Sequence, residues 1–212
     1  MNEKTQLSAL VASRICHDMV EPMSAIIQGL EMMKSAEGGK PDPDALSLID
    51  HGVGKAWAKL EFFRFAMGGA TAQGDSELEE GRAVALKLYS ALKPELVWKA
   101  PAVSMPRAAV RVIVNLLLTA NECLPRGGTV EISAAKAGAG GEVRILAQGP
   151  RASLRAPTAA ALKGEDIEGG LTGHTIQPSL TGLLARQGEV EIEVVEGEEQ
   201  VELIARSAKF KL

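Results

Sequence analysis

Aromatic side chains are scarce in this chain, at 3% of 212 residues. Single-stranded nucleic acid is bound largely by stacking on such side chains, and the net charge of −4 also disfavours a general binder of nucleic acid or anionic membranes. The two cysteines are too few for a disulfide framework and have no metal-ligand spacing. These absences exclude most nucleic-acid, disulfide-scaffold and zinc-site classes.

Long apolar runs are missing as well. No run reaches the roughly 18 residues that cross a bilayer, and the polar start at Met1–Gln6 lacks the apolar core of a signal peptide. We therefore expect a cytoplasmic protein that does not associate with membranes. The motif Gly-x-x-x-x-Gly-Lys is also absent, which excludes a P-loop nucleotide site.

The first third of the chain is patterned as two long amphipathic helices. Apolar residues recur at three- and four-residue steps over Glu3–Lys34 and again from Ala45 to Met67, with a turn predicted at Gly38–Pro43. A single hairpin cannot cover apolar stripes of this width, so we expect a four-helix bundle completed by a second copy of the chain. Cys16 and Trp57 are predicted to lie in the core.

The rest of the chain alternates helix and strand. A small polar linker at Ala70–Ser76 predicts a boundary between a helical-hairpin domain at 1–72 and a second domain at 73–212. The pattern predicts an α+β sandwich with helices on one face of a mixed sheet. The predicted helices are Leu78–Leu92, Arg107–Cys123, Ala156–Lys163 and Pro178–Gln187, and the predicted strands are Glu95–Ala100, Thr129–Ala135, Glu142–Ala147, Glu189–Val195 and Gln200–Ala205.

The most informative feature is His17, which is followed at once by Asp18 and, inside the same predicted helix, by Pro22. A proline inside a helix costs roughly 3 kcal/mol, since it removes a donor and clashes with the carbonyl four residues earlier, here that of Asp18. His17 is about 200° around the helix from the apolar Met19, so it points away from the buried stripe. We expect a kink just after the histidine.

This string resembles the phospho-accepting helix of two-component histidine kinases, in which a histidine, an acid and a proline mark the phosphorylation site. An exposed neutral imidazole is a nucleophile that another protein's phosphoryl group can reach. Asp18 can accept a hydrogen bond from one ring nitrogen and so orient the other. The polar residues on the same helix face are candidates for partner binding: Arg14, Glu21, Ser24 and Gln28.

The second domain resembles a histidine-kinase ATPase domain that has lost its nucleotide site. Asn115 begins the asparagine-box pattern, but the second magnesium-ligand position, four residues later, is Thr119, a poorer ligand for a hard cation. The aspartate expected after the next strand is replaced by the run Gln148–Arg151, and the stretch Leu171–Leu184 has no glycine-rich phosphate loop.

Both halves together are similar to one family, the alphaproteobacterial histidine phosphotransferases of the ChpT type. The matching strings are Ser13–Asp18, Gly29–Glu31, Asn115–Leu118, Leu124–Gly128, Ile176–Pro178 and Thr181–Ala185. The resemblance implies a homodimer that passes a phosphoryl group between receiver-domain aspartates through His17 and Asp18. It also implies that the chain holds no cofactor or metal of its own, because magnesium comes with the receiver.

The implied partners are receiver domains of a hybrid sensor kinase and of response regulators. Two other function classes stay open from the sequence. One is an ATP-dependent kinase or ATPase, which measurable binding of ATP-Mg would revive. The other is a kinase-like scaffold that binds response regulators without transferring phosphate.

Overall fold

Two long helices pack as an antiparallel hairpin in the computed structural model: α1 (Glu3–Ser35) and α2 (Pro43–Met67). The structure describes residues 3–35, 42–68, 74–167 and 170–212, with side chains from residue 8 onward. Asp42 caps α2 by accepting a hydrogen bond from the Asp44 amide, and Pro43 occupies the first helical position, where its missing N–H costs nothing. The predicted turn at 38–43 and linker at 70–76 lie largely outside the described residues.

Glycines let the two helices of the hairpin approach closely. A Cβ atom on Gly52 would lie 2.9 Å from the carbonyl oxygen of Pro22, and one on Gly29 would lie 2.8 Å from that of Ala45. Both distances are shorter than a real Cβ tolerates. Gly54, two residues after Gly52, faces open space, so the two glycines of α2 have different roles.

The second part of the chain is a layer of helices against a mixed sheet. Its elements are β1 (Asp75–Glu77), α3 (Leu78–Tyr89), β2 (Glu95–Trp98), β3 (Ser104–Pro106), α4 (Arg107–Glu122), β4 (Thr129–Ala137), β5 (Gly140–Gln148), α5 (Ala156–Lys163), α6 (Ile176–Gln187), β6 (Glu191–Gly197) and β7 (Gln200–Ser207). The predicted α+β architecture is confirmed, and most predicted element bounds agree to within three residues.

Five strands form the main sheet in the order β2-β4-β5-β7-β6, in which only the β2–β4 pair is parallel. Val143, Ile145 and Ala147 of β5 are buried, and α4 packs over this face of the sheet. The alternate positions carry ion pairs between neighbouring strands, such as Arg144–Glu202 and Arg206–Glu142. One face is therefore apolar and helix-covered and the other is charged, as period-two patterning predicts.

The three-residue strands β1 and β3 were not predicted. They pair antiparallel, with Ser76 opposite Met105, and form a small separate sheet at the start of α4. Runs this short carry no detectable alternation, and Pro106 ends the second of them. Their pairing ties the chain after the hairpin to the beginning of α4.

Two predicted core residues lie at the surface. Cys16 is exposed, and the Trp57 side chain is 55% exposed, with the Lys87 ammonium 5.5 Å from its ring centroid. Within the single chain both residues lie outside the core, because the apolar stripes are wider than the contact between α1 and α2. Trp98 is partly buried and packs against the core.

The uncovered part of the stripes forms one apolar face of the hairpin. Its eight large side chains are each 46–62% exposed: Val20, Met23, Ile27, Leu30, Leu46, Val53, Trp57 and Leu60. In both helices these positions are rotated in the same sense, by about 100° or more, from the α1–α2 contact. Because antiparallel helices turn in opposite senses seen from one end, both stripes point to the same side of the hairpin.

Within the described residues, the model has no helix that combines the length and the apolarity needed to cross a bilayer. Charged residues such as Arg14, Asp18 and Glu21 interrupt the apolar positions of α1. The apolar surface of the hairpin is a stripe along one side, which suits packing against another helix pair.

The two glycines of α2 allow a matched test of helix packing. We expect Gly52→Ala to lower the free energy of unfolding by about 1–3 kcal/mol, because the added methyl group collides with the Pro22 carbonyl. Gly54→Ala should raise it by up to about 1 kcal/mol, because alanine has the better helix propensity and nothing lies near its methyl group. Urea denaturation of both variants measures these changes. Equal effects of the same sign would contradict the close approach.

Candidate functional site

His17 stands on the open side of α1 with its ring held at one nitrogen. Its side chain is 79% exposed, and Nδ1 lies 3.2 Å from Oδ1 of Asp18. A carboxylate can only accept a hydrogen bond, so Nδ1 carries the proton of the neutral ring and Nε2 keeps a free lone pair. The imidazole therefore presents Nε2 outward as a nucleophile.

Pro22 sits inside a continuous helix, and the backbone defect it creates is repaired from the second helix. The proline has no N–H for the carbonyl oxygen of Asp18, and Lys59 Nζ donates to that oxygen instead, at 2.9 Å. The Lys59 side chain is only 14% exposed. A lysine on α2 thus stabilises the backbone directly beside the histidine.

The other polar residues predicted on this face differ in how they are engaged. Glu21 is 67% exposed and bridges Lys55 at 2.5 Å and Lys59 at 3.5 Å. The hydrogen bond from Lys55 is the main cause that lowers the pKa of the Glu21 carboxyl. Ser24 is exposed and donates to the carbonyl of Val20, and Gln28 is also exposed. The structure therefore keeps all three on the His17 side of α1.

Arg14 is enclosed, in contrast to the prediction that it lies open for a partner. Its side chain is only 12% exposed, and its guanidinium donates to Asp18 Oδ2 at 2.9 Å, Glu122 Oε1 at 2.7 Å and the Gly173 carbonyl at 2.9 Å. Burial acts to lower the pKa of Arg14, but the two carboxylates outweigh it and raise that pKa. Arg14 therefore joins α1 to the second domain.

A cleft of about 380 Å³ opens between the hairpin and the second domain, with His17 on its wall. Arg155 and His174 line the side that belongs to the second domain, together with Glu122 and Thr158. The sequence assigned no role to His174, which lies in the segment before α6. The fold brings it, with Arg155, to the same cleft as the predicted nucleophile.

The region that resembles a kinase nucleotide site is filled by a buried polar network. Asn115 is fully buried, its Nδ2 donates to the Ala66 carbonyl at 3.1 Å, and its Oδ1 accepts from Gln177 Nε2 at 3.0 Å. The Thr119 hydroxyl donates to the Asn115 carbonyl, and Gln177 also reaches the Thr181 hydroxyl. These contacts join α2, α4 and α6, although the Gln177 Oε1 atom is buried without a hydrogen-bond partner. The asparagine amide oxygen is therefore not presented to a metal ion or a phosphate.

Metal-ligating side chains do not cluster elsewhere in the described ranges. Across residues 3–35, 42–68, 74–167 and 170–212, no three His, Cys, Asp or Glu side chains are arranged to hold an ion. Asp18 and Glu122 are both engaged by the same guanidinium, that of Arg14.

Sequence reasoning found His17 and Asp18 but missed Lys59 and Glu122. Both lie far along the chain from the histidine motif, and neither belongs to a recognisable pattern. The one local signal was at Glu122, an acid in the last turn of a helix, where the helix dipole disfavours negative charge.

Comparison with known proteins agrees with this architecture. Residues 78–200 match the family model described as the histidine phosphotransferase C-terminal domain. Protein phosphotransferase ChpT of Brucella abortus (strain 2308) is 40% identical over 128 residues, which cover 59% of this chain and 59% of that protein. The match thus spans less than two thirds of the length of this curated relative.

Solved structures extend the likeness to the hairpin. A structure of a bacterial phosphotransferase superimposes with a TM-score of 0.85 at 30% identity, covering 97% of this chain and 98% of that one. The histidine kinase ThkA, solved in complex with the response regulator TrrA, gives a TM-score of 0.54 at 16% identity and covers 95% of this chain and 62% of that one. The second likeness shows that the histidine-kinase fold is shared.

The Lys59 contact can be tested by restoring the missing backbone donor. We expect Lys59→Met to lower the free energy of unfolding by about 1–3 kcal/mol, because the Asp18 carbonyl loses its donor. In a Pro22→Ala background, the alanine N–H can pair with that carbonyl, so the same substitution should cost less. A double-mutant cycle by chemical denaturation measures this coupling. Equal costs in both backgrounds would show that Lys59 does not replace the proline's missing hydrogen bond.

Proposed function

The chain belongs to the histidine phosphotransferase family, and from that premise we propose that it carries phosphoryl groups between receiver-domain aspartates through His17. The observation that supports this most directly is the exposed imidazole whose Nδ1 is held by Asp18 and whose Nε2 is free. Such a ring is a ready nucleophile that needs no further rearrangement within the chain.

The proposed transfer is an in-line exchange at phosphorus. The lone pair of Nε2 attacks the acyl phosphate of a receiver's phospho-aspartate, the phosphorus–oxygen bond breaks, and the aspartate leaves as a carboxylate. The ring becomes positively charged, and Asp18 stabilises it by accepting the Nδ1–H bond. Transfer to the next receiver runs these steps in reverse, with that receiver's aspartate as the nucleophile.

Positioning and charge balance supply most of the catalysis in transfers of this kind. Within the chain, Lys59 supports the backbone at Asp18, and Arg14 holds the second oxygen of its carboxylate. We assign the magnesium ion to the receiver's acidic site. Glu21, Ser24 and Gln28 lie beside His17 and are the proposed footprint of the receiver.

The same proposal holds that the chain does not use ATP itself. Its support is the Asn115–Gln177 network, which occupies the amide oxygen that a kinase asparagine box would offer to magnesium. The ATP-dependent kinase is for this reason the weaker alternative. A scaffold that only binds response regulators has no need of the His17–Asp18 contact.

The proposed assembly is a homodimer in which the apolar face of one hairpin packs against the same face of another. Eight large apolar side chains about half exposed on one side are typical of a four-helix bundle lacking two of its helices. His17 lies on a different side of α1, so both histidines of the dimer stay accessible. The proposed donors and acceptors are receiver domains of a hybrid sensor kinase and of response regulators.

Phosphoryl transfer to His17 is the experiment that tests the function. A receiver domain labelled with radioactive phosphate on its aspartate should transfer the label to the wild-type protein. Transfer to the Asp18→Asn variant should be slower than to the wild type, and the His17→Ala variant should not be labelled. The label should be acid-labile and alkali-stable, as expected of phosphohistidine. His51→Ala is the matched control, since His51 is also an exposed helical histidine. Equal labelling of His17→Ala and the wild type would contradict the assignment, and binding of receivers without labelling would favour the scaffold.

The dimer predicts a specific pattern of molecular mass. Light scattering should give twice the chain mass of 22.3 kDa for the wild type. Leu30→Glu should give the single chain mass, because it places a charge within the apolar face. Leu86→Glu, at an exposed leucine of α3 outside that face, should leave the dimer intact. A monomeric wild type, or equal effects of the two substitutions, would contradict this arrangement.

A further inference from the structure

Glu122 occupies a position that its own helix disfavours. It is the last residue of α4, where the negative end of the helix dipole repels a carboxylate, and the last turn of α4 has no basic residue to offset it. Its Oε1 instead accepts a hydrogen bond from Arg14 Nη2 at 2.7 Å. A locally unfavourable residue with one directed contact points to a role beyond the helix itself.

Arg14 depends on this contact for its position. A single Arg–Asp pair one turn apart on a helix is weak, because a long side chain loses rotamer freedom for a partly screened attraction. The guanidinium here is fixed at three corners by Asp18, Glu122 and the Gly173 carbonyl. Two of those three acceptors belong to the second domain.

The two carboxylate oxygens of Asp18 have different partners, because the N–H donors of Arg14 are shared between Asp18 and Glu122. Oδ2 accepts from Arg14 Nε, and Oδ1 remains for His17 Nδ1 at 3.2 Å. A guanidinium that has no other carboxylate pairs most favourably with both oxygens of one carboxylate at once. Without the negative charge of Glu122, Arg14 would draw Asp18 into that bidentate pair and away from the imidazole.

We propose that Glu122 is a positioning residue for His17: it occupies part of the Arg14 guanidinium and so leaves Oδ1 of Asp18 to hold the Nδ1 proton. Glu122, in the second domain, thereby sets the tautomer of His17. It does so through Arg14 and Asp18, without contacting the imidazole ring itself. The consequence for transfer rates rests on the proposed function, but the effect on the tautomer does not depend on it.

The tautomer is measured directly by the nitrogen-15 chemical shifts of His17 in the full-length protein. In the wild type we expect Nδ1 to be the protonated nitrogen, and Glu122→Gln should shift the population towards Nε2–H. Glu80→Gln is the matched control, because it removes the charge of an exposed acid paired with Arg107 at the other end of α4, about 22 Å away along the helix. That control should leave the His17 signals unchanged.

An Arg14→Met background separates positioning from a general structural effect. Since Glu122 acts through Arg14, adding Glu122→Gln to Arg14→Met should cause no further change in the tautomer population. A further shift of the same size would overturn the proposal, as would an unchanged tautomer in Glu122→Gln alone.

Phosphorylation by potassium phosphoramidate gives a second readout that needs no receiver. In that reaction Nε2 attacks phosphorus, the phosphorus–nitrogen bond of the reagent breaks, and ammonia leaves. We expect Glu122→Gln to slow this labelling about tenfold, a fraction of what a positioned acid–base group contributes, and to lower kcat of receiver transfer without changing KM. A changed tautomer without receiver transfer in any variant would refute the proposed function and leave the positioning role standing. A rise in KM alone would assign Glu122 to receiver docking and overturn the proposal.

Discussion

The arrangement of the site depends on the ion pairs that the Arg14 guanidinium makes with Asp18 and Glu122. The guanidinium is nearly enclosed, it pairs with two carboxylates, and those carboxylates come from the two parts of the fold. Removing either acid leaves a partly buried positive charge with fewer partners, which is costly in a low-dielectric environment. The orientation of Asp18, and through it that of His17, therefore depends on how the second domain sits against α1.

That second domain has the fold of a kinase ATPase domain but uses its central helix differently. In the region of α4 that resembles an asparagine box, Asn115, Gln177 and Thr181 are paired with one another and with the carbonyl at the end of α2. Hydrogen bonds within such a network offset most of the cost of burying its polar groups, although the Gln177 Oε1 atom has no partner. Here the network fastens α6 and the hairpin to α4, so polar groups that resemble a ligand site serve to fix the position of the domain.

Much of this architecture could be predicted from the sequence, because long periodic segments determine their own element type. The limits of α1 and the pairing of β4 with β5 follow from patterns of 3.6 and 2 residues. The three-residue strands β1 and β3 could not be predicted, since they are too short to show a period. Cys16 and Trp57 were misplaced because an apolar stripe does not reveal which part of it faces the same chain.

The residues of the site also fall into those that the sequence reveals and those that it does not. His17, Asp18 and Pro22 are adjacent in sequence, and their chemistry is visible as a string. Only folding brings Lys59 to Asp18, across 41 residues, and Glu122 to Arg14, across 108 residues. Nothing about a lysine in α2 or a glutamate at the end of α4 reveals from the sequence that each supports Asp18.

The exposure of His17 also affects the lifetime of a phosphoryl group on its ring. A ring that is 79% exposed leaves any phosphoryl group on Nε2 in contact with water as well as with partners. In the proposed transfer such a group is open to hydrolysis as well as to its acceptors, so the modified state decays once its supply stops. The carrier that we propose therefore keeps only a short memory of its input.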